Sequence, residues 1–304
     1  MSRDGGVVRI GTRASALARW QADWIRARLR ELRPGVECEI APISTSGDRI
    51  LDRSLPEIGG KGVFTQELEA ALVSGEIDLA VHSLKDLPVE SPPELTLGAV
   101  AEREDPRDVL VSARYATLRE LPRGARVGTS SPRRASQLLA LRPDLAIASL
   151  RGNVDTRIRR ALEGEYDAIV LAAAGLLRLG RAAAVSSYFG FDEMLPAPGQ
   201  GALAVQCRAG DAAVLDLLGP VEHRPTRQAV AAERAFLRAL GGGCSAPIAA
   251  SGGFDGRTVA LEGLVASRDG STLVRVRGTG DEPEELGERL ALEALGKGGR
   301  ELLA

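Results

Sequence analysis

The first candidate site is a short polar segment, Gly-Thr-Ser-Ser-Pro-Arg-Arg at positions 128–134. It places hydroxyl groups at the start of a predicted helix, a proline at the first helical position, and Arg133 and Arg134 in the first turn. Free backbone N–H groups and the helix dipole bind anions at such a position. Because positive side chains are unfavourable there, the arginine pair indicates an anionic partner. Simple capping of the helix by Ser131 is the alternative.

Three further predicted strand-to-helix junctions carry arginine. Segment 11–15 holds Arg13 and Ser15, segment 151–157 holds Arg151 and Arg157, and Arg178 follows a strand predicted over 167–171. Any one of these could be a solvated surface arginine. Together the four junctions predict a cleft for a polycarboxylate or a polyphosphate, because guanidinium binds such groups bidentately.

The candidate catalytic group follows a buried strand predicted over 77–81. That strand runs into His-Ser-Leu-Lys-Asp at 82–86, and sites in α/β sheets gather outside the carboxyl ends of strands. Asp86 could stabilise a developing cation or move a proton, and Lys85 could hold a carboxylate. The alternative is an exposed Lys-Asp pair in a turn. His82 and His223, the only histidines, leave almost no material for a histidine-centred triad.

A glycine-rich loop surrounds the remaining candidate, Cys244. Three glycines at 241–243 remove side chains from the approach to its sulfur, so a bulky group could reach it. An inert buried cysteine is the alternative. The Gly-Gly-Lys-Gly segment at 59–62 lacks the spacing of a phosphate-binding P-loop.

The elements that position these residues alternate between strand and helix. The pattern predicts strands over 7–11, 37–43 and 77–81, helices over 15–32 and 64–73, and a long loop over 45–62. This order is typical of an α/β protein with a mainly parallel sheet covered on both faces.

An internal echo predicts two such lobes. Arg-Ile-Gly-Thr at 9–12 reappears as Arg-Val-Gly-Thr at 126–129, and Gly-Glu-Ile-Asp at 75–78 reappears as Gly-Glu-Tyr-Asp at 164–167. Two matches in the same order favour two similar α/β lobes, expected to face each other across the cleft.

Changes in composition predict three domains. Polar and proline-marked segments at 102–106 and 195–201 are the expected crossings between the lobes. Beyond Pro220 the pattern becomes a helix over 226–240, consecutive strands near 248–250, 259–266 and 272–277, and a helix over 284–295, which indicates an α+β domain with an antiparallel sheet. The predicted domains are 6–101 with 202–219, 106–197, and 222–304.

The bulk composition excludes several classes. The chain has 304 residues, a net charge of −2 and 3% aromatic residues, which argues against binding of nucleic acid or membrane. Three scattered cysteines form no disulfide framework or zinc motif. No apolar run suits a membrane span or a secretory signal. We therefore expect a soluble protein of the reducing cytoplasm without a metal.

Seven motifs in order give the sequence a family resemblance. They are Ser-Thr-Ser-Gly-Asp at 44–48, Gly-Gly-Lys-Gly at 59–62, His-Ser-Leu-Lys-Asp at 82–86, Glu-Arg-Glu-Asp-Pro-Arg-Asp at 102–108, Gly-Thr-Ser-Ser-Pro-Arg-Arg at 128–134, Arg-Gly-Asn-Val at 151–154 and Gly-Gly-Gly-Cys at 241–244. This set resembles the porphobilinogen deaminase family, from about residue 8 to the C-terminus.

The resemblance implies a fold and a chemistry. The fold would be two α/β lobes like those of type II periplasmic binding proteins around a cleft, plus a small α+β C-terminal domain with a three-stranded antiparallel sheet. Cys244 would carry a dipyrromethane cofactor through a thioether. Four porphobilinogen molecules would be condensed onto it and released as hydroxymethylbilane.

The resemblance also implies residue roles. Asp86 would be the catalytic carboxylate. The implied contacts to the cofactor come from Lys85, Thr129, Ser131, Arg133, Arg134 and Gln200. The implied contacts to the substrate come from Arg13, Ser15, Arg151, Arg157 and Arg178. The implied lid is the 45–62 loop with Gly59, Gly60, Lys61 and Gly62. A monomer is expected, passing its product to uroporphyrinogen-III synthase.

Three positions depart from the family pattern: Glu57 in the lid, Leu177 before Arg178, and Pro132 before the arginine pair. As a first-turn residue, Pro132 should be tolerated. The rival from another class is a non-catalytic two-lobed receptor for a small polyanion. It accounts for the lobes and the arginines but not for Cys244 on its glycine loop. A DNA-binding regulator is disfavoured because no basic helix-turn-helix segment precedes Val8.

Overall fold

The computed structural model describes residues 6–49, 65–241 and 246–303. Cys244 and the lid residues Gly59, Gly60, Lys61 and Gly62, together with Glu57, lie outside the described residues. The chain divides into two compact units. Unit 1 comprises Met1–Arg103 with Ala202–Arg227, and unit 2 comprises Glu104–Gly201 with Gln228–Ala304. The division into three domains stays a prediction.

Unit 1 is built on a five-stranded sheet in the order β2-β1-β3-β10-β4. Its strands are β1 (Val8–Thr12), β2 (Cys38–Pro42), β3 (Leu79–Ser83), β4 (Leu95–Val100) and β10 (Leu203–Arg208). Strands β2, β1 and β3 are parallel, whereas β10 runs antiparallel to both of its neighbours. The expected parallel sheet is therefore mixed, because β10 enters it from a distant part of the chain.

Helix α1 (Ala16–Leu32) covers one face of this sheet and follows the predicted helical spacing closely. The Ser15 side chain caps it by accepting a hydrogen bond from the Ala18 N–H at 3.3 Å. Buried Ile25 and Leu29 lie one turn apart and pack into the same core as Ile10 of β1. The other helices of unit 1 are α2 (Ser46–Arg49), α3 (Gln66–Ser74) and α7 (Ala212–Leu218).

Unit 2 contains a second five-stranded sheet in the order β7-β6-β8-β5-β9. Its strands are β5 (Asp108–Val111), β6 (Arg126–Gly128), β7 (Ala146–Ala148), β8 (Ala168–Ala172) and β9 (Ser187–Tyr188). Strands β7, β6 and β8 are parallel, and β5 is antiparallel to β8 and β9. Order and directions repeat those of the first sheet, so the predicted pair of similar α/β lobes is confirmed.

The echoed residues occupy equivalent places in the two lobes. The backbone N–H of Arg9 donates to Asp78 Oδ2 at 3.0 Å, and that of Arg126 donates to Asp167 Oδ2 at 2.8 Å. A Cβ on Gly11 would lie 2.3 Å from Ile77 Cδ1. In the second lobe, a Cβ on Gly128 would lie 2.8 Å from Tyr166 Cδ1. Each glycine is therefore required by the side chain that precedes the echoed aspartate.

The rest of unit 2 carries the predicted antiparallel sheet of β11 (Ile248–Phe254), β12 (Val259–Ala266) and β13 (Leu273–Gly280). The helices of this unit are α4 (Pro132–Leu141), α5 (Val154–Leu162), α6 (Ala173–Arg178), α8 (Arg224–Ala239), α9 (Pro283–Ala294) and α10 (Arg300–Leu303). Phe236 of α8 and Leu290 of α9 are fully buried in a core with Val265 of β12. The predicted α+β character of this part of the chain is confirmed.

Two local predictions were wrong. The expected loop over 45–62 begins with a helical turn, α2, in its described part. The strand expected over 77–81 is displaced to Leu79–Ser83. Ile77 is buried because it packs under Gly11, and its N–H donates to Ala71 O rather than to a strand.

Candidate functional site

The first candidate site is a pocket at the carboxyl end of β3 in unit 1. Strand β3 ends at Ser83, and a 3-10 turn over Leu84–Asp86 follows it directly. Because the turn begins where the strand ends, it presents Asp86 beside the residues that precede α1. The pocket is lined by Arg13, Ser15, Leu17, Ala18, Gln21, Thr65, Val81, His82, Ser83 and Asp86.

Asp86 is the exposed acid of this pocket. Among the described residues, none forms a hydrogen bond or an ion pair with its carboxylate. Arg13 and Ser15 are half-buried in the connection between β1 and α1, and Lys85 is half-buried in the same turn as Asp86. An acid with no partner in the described part of the chain, in a pocket with a guanidinium and a hydroxyl, can bind the cationic part of a ligand while the other two groups bind its anionic part.

The floor of the pocket is polar and buried. Gln21 is 2% exposed, and its Nε2 donates to Ser83 Oγ at 2.8 Å. His82 is 6% exposed. Its burial lowers the pKa to about 4, so the imidazole is neutral near pH 7. A neutral ring beside Asp86 leaves the carboxylate as the pocket's negative charge.

The second candidate site, in unit 2, is the start of α4. Pro132 occupies the first helical turn, as expected of this departure from the family pattern. Ser131 is the residue before the helix, but its side chain makes no capping hydrogen bond. Thr129 is buried, and its hydroxyl accepts from the Ser131 N–H at 3.1 Å. The capping alternative for Ser131 is therefore not what the structure shows, and its hydroxyl is left for another partner.

Arg133 and Arg134 converge on one buried carboxylate, that of Asp108. Arg133 Nη1 donates to Asp108 Oδ2 at 2.7 Å, and Arg134 Nε and Nη2 donate to Asp108 Oδ1 at 2.9 and 2.7 Å. Gln200 Nε2 donates to the same Oδ1 at 3.1 Å and to Pro106 O at 2.7 Å. All four side chains are buried. Three predicted cofactor contacts thus meet at one point.

The other predicted arginines of unit 2 occupy separate positions. Arg178 is 8% exposed and its Nη2 donates to Gly201 O at 2.6 Å. Burial lowers the pKa of Arg178 to about 10, which still leaves it charged near pH 7. Arg157 Nε donates to Gly152 O at 2.7 Å, and both Arg151 and Arg157 are half-buried at the start of α5. Leu177, the other departure, packs against the apolar core between α5 and β8.

Sequence reasoning overlooked Asp108 as a functional residue. The unfavourable arginines at the start of α4 correctly required a negative partner, and Asp108 is one such partner inside the protein. A signal was available, because Asp108 opens an apolar strand two residues after Pro106, and a buried acid needs a cation.

Two exclusions follow from the described residues. In the described part of the chain, no helix is both long enough and apolar enough to cross a bilayer. No cluster of three or more histidine, cysteine or acidic side chains in those same ranges could hold a metal ion.

The structure thus combines two similar mixed α/β lobes, an antiparallel α+β region, and an exposed acid in a pocket with Arg13 and Ser15. The chain matches the family model described as "Porphobilinogen deaminase, dipyromethane cofactor binding domain" over residues 8–216. The model described as "Porphobilinogen deaminase, C-terminal domain" matches residues 227–296. The chain belongs to the porphobilinogen deaminase family and is a transferase.

A curated relative agrees with the family. A protein named porphobilinogen deaminase from Pelotomaculum thermopropionicum is 53% identical over 298 residues, which is 97% of this chain and 96% of the relative. Among solved structures, a periplasmic substrate-binding protein of an ABC transporter from Coxiella burnetii has a TM-score of 0.46 at 17% identity, covering 75% of this chain and 97% of its own. A methionine-bound nutrient-binding protein from Burkholderia cenocepacia has a TM-score of 0.44 at 16% identity, covering 70% and 90%.

Proposed function

We propose that this chain condenses four porphobilinogen molecules head to tail, with Asp86 as the catalytic carboxylate. The overall reaction consumes four porphobilinogen and one water and gives hydroxymethylbilane and four ammonia. The observation that carries the proposal is the carboxylate of Asp86, which lies without a described partner in a pocket with Arg13 and Ser15. A member of this family needs such an acid where positive charge develops.

The chemistry of one addition defines the task of Asp86. The C–N bond of the aminomethyl group breaks, ammonia leaves with the bonding electrons, and positive charge spreads onto the pyrrole ring. The Asp86 carboxylate accepts a hydrogen bond from the ring N–H and stabilises this charge. A new C–C bond then forms at the methylene carbon, and the attacking carbon loses its proton. Asp86 supplies charge stabilisation at each addition.

Arg13 and Ser15 orient the substrate in this proposal. Porphobilinogen carries an acetate and a propionate, and a guanidinium holds a carboxylate through two parallel hydrogen bonds. Ser15 already accepts from the Ala18 N–H, so its hydroxyl proton remains available as a donor. Because His82 is neutral near pH 7, Arg13 supplies the positive charge that attracts the anion in this part of the pocket. Arg151, Arg157 and Arg178 hold further carboxylates of the growing chain.

The residues at the start of α4 fit the dipyrromethane cofactor that the matched domain binds. The cofactor carries four carboxylates. This region contains the Ser131 hydroxyl, which does not cap the helix, and the buried side chains of Thr129, Arg133 and Arg134. We propose these residues, with Lys85 and Gln200, as its binding groups and Cys244 as its attachment point. When bound, the cofactor supplies the nucleophilic pyrrole carbon onto which the first ring is added.

The remaining properties are inferences from the family. We infer that the protein works as a monomer in the cytoplasm. We also infer that the product, a linear tetrapyrrole, passes to uroporphyrinogen-III synthase.

Mass spectrometry of the intact full-length chain tests the function. We expect a mass excess equal to two deaminated pyrrole units, mapped by peptide analysis to Cys244. The Cys244→Ser variant should lack this excess. The matched control is Cys207→Ser, because burial raises the pKa of the Cys207 thiol to about 11 and keeps it unreactive. An unchanged mass after addition of porphobilinogen would favour the polyanion receptor instead.

A further inference from the structure

We propose that Asp108 is a positioning residue for the cofactor site, whose buried carboxylate holds Arg133, Arg134 and Gln200 in the geometry that admits the cofactor. The inference rests on the proposed function, since it concerns the same site. Asp108 is the last residue of the motif at 102–108, and its contacts in the structure are what point to a positioning role.

The Asp108 carboxylate is buried and accepts hydrogen bonds on both of its oxygens. Asp108 is 0% exposed. Its Oδ1 accepts from Arg134 and Gln200, and its Oδ2 accepts from Arg133. Each oxygen therefore fixes a different guanidinium. The backbone of Asp108 is itself fixed in β5, where it pairs with Ala172 of β8.

Asp108 also balances part of the positive charge of the arginine pair. Arg133 and Arg134 are adjacent, buried and of the same sign, so they repel each other and lose hydration. Burial lowers the pKa of Arg133, and the charge of Asp108 opposes that effect. One carboxylate between two guanidiniums keeps both charged and leaves this group of three with an excess positive charge. That excess attracts the carboxylates of a ligand.

The two arginines differ in how many of their guanidinium nitrogens donate hydrogen bonds within the protein. All three nitrogens of the Arg134 guanidinium donate inside unit 2, Nε and Nη2 to Asp108 and Nη1 to Val170 O at 3.1 Å. Arg133 uses only Nη1, which also donates to Leu195 O at 2.6 Å. Its Nε and Nη2 have no hydrogen-bond partner among the residues that the structure describes. Asp108 thus holds Arg133 from one side and leaves the other donors for a ligand.

Hydrogen bonds also join this site to residues 195–200, which precede the return of the chain to unit 1. Gln200 joins Asp108 to Pro106 O, and Gln137 of α4 both donates to Leu195 O and accepts from the Leu195 N–H. Residues 195–200 are therefore fastened to α4 on one side and to Asp108 on the other. Loss of the Asp108 carboxylate would remove hydrogen bonds from Arg133, Arg134 and Gln200 at once and leave each of them with its bond to a backbone carbonyl. Loss of any one partner leaves the other bonds to Asp108 in place.

The test measures cofactor loading in the full-length chain by intact mass, both as purified and over time after addition of porphobilinogen. Asp108→Asn should lower the rate of mass gain by about tenfold or more, a loss typical of groups that orient a ligand-binding side chain. The matched control is Asp78→Asn in unit 1. Asp78 is also buried and paired with two arginines, Arg9 and Arg208, but it lies at the other end of β3 from Asp86.

A second variant separates positioning from stability. Asp108→Glu keeps the charge and moves the carboxylate by one methylene, so it should fold and still load slowly. Loading is normalised to the folded fraction measured by circular dichroism. If both Asp108 variants load at the rate of the wild type and of Asp78→Asn, the positioning role is overturned while the proposed function stands. If the wild type carries no mass excess as purified and gains none after addition of porphobilinogen, the proposed function fails first.

Discussion

The carboxylate of Glu233 accepts a hydrogen bond from the Gly199 N–H at 2.6 Å. Its other oxygen accepts from the Gly252 N–H at 2.7 Å, and the side chain is 0% exposed. One acid on α8 thus fastens both the returning segment before Gln200 and strand β11. Glu233→Ala would leave the N–H groups of buried Gly199 and half-buried Gly252 without this acceptor.

We expect Glu233→Ala to lower the free energy of unfolding by about 2–4 kcal/mol, measured by urea denaturation. The control is Glu288→Ala, which removes an exposed ion pair with Arg238 and should change stability by less than about 0.5 kcal/mol. Equal effects of the two substitutions would show that the buried bonds of Glu233 contribute little.

Asp86→Asn should keep the fold and lose turnover. The side chain is exposed and has no described partner, so the free energy of unfolding should change by less than about 0.5 kcal/mol. Removal of a group that stabilises transition-state charge typically lowers kcat by about 10²–10³-fold. Steady-state assay of ammonia release checks this. Asp23→Asn, an exposed aspartate on α1, is the control, and near-normal kcat in Asp86→Asn would remove Asp86 from its role.

Ser15→Ala and Ser131→Ala should differ in their effect on stability. Ser15 caps α1, so its loss should cost about 1 kcal/mol of unfolding free energy. Ser131 precedes α4 without capping it, so its loss should cost much less, while slowing cofactor loading. Thermal unfolding and intact mass measure the two effects. A large loss of stability in Ser131→Ala would assign its hydroxyl to the helix instead of the ligand.

The stability of the protein should fall on mild acidification because of His82. Its pKa is lowered from 6.5 to about 4 in the folded state by burial. The unfolded chain therefore binds a proton first as the pH falls, and the free energy of unfolding decreases between about pH 6.5 and pH 4. The contribution is about 3 kcal/mol. His82→Gln should flatten this part of the pH profile in urea titrations, and an unchanged slope in this variant would contradict the assignment to His82.

The success of sequence reasoning followed the range of the interactions involved. Helix α1 and strand β12 were predicted to within a residue, because their apolar spacing and end signals are local. Strand β10 lies between β3 and β4 although more than a hundred residues separate it from either, and no local pattern encodes that placement. The repeat of the segments that contain Arg9 and Asp78 correctly predicted two similar lobes, because each lobe contains the same hydrogen bond from the arginine backbone to the aspartate.

The candidate site divides in the same way. Asp86 and Arg13 could be predicted from strand ends, since polar residues there converge by topology. The partners of Asp108 could not be predicted, because Arg133 and Gln200 lie 25 and 92 positions away, although its place at the start of an apolar strand was a signal that it needs a cation. Burial of Arg133 and Arg134 was also unexpected, since arginine is usually exposed and only a paired one is buried.

The position of β10 bears on synthesis at the ribosome. Strands β1 to β4 leave the exit tunnel first, but the strand between β3 and β4 is made only after the whole of residues 104–201. The first sheet therefore cannot form completely until β10 has been synthesised. The second sheet is built from consecutive strands, β5 to β9, and can form as soon as they have left the tunnel. Of the two five-stranded sheets, the one whose synthesis begins second should thus be the first to complete its folding.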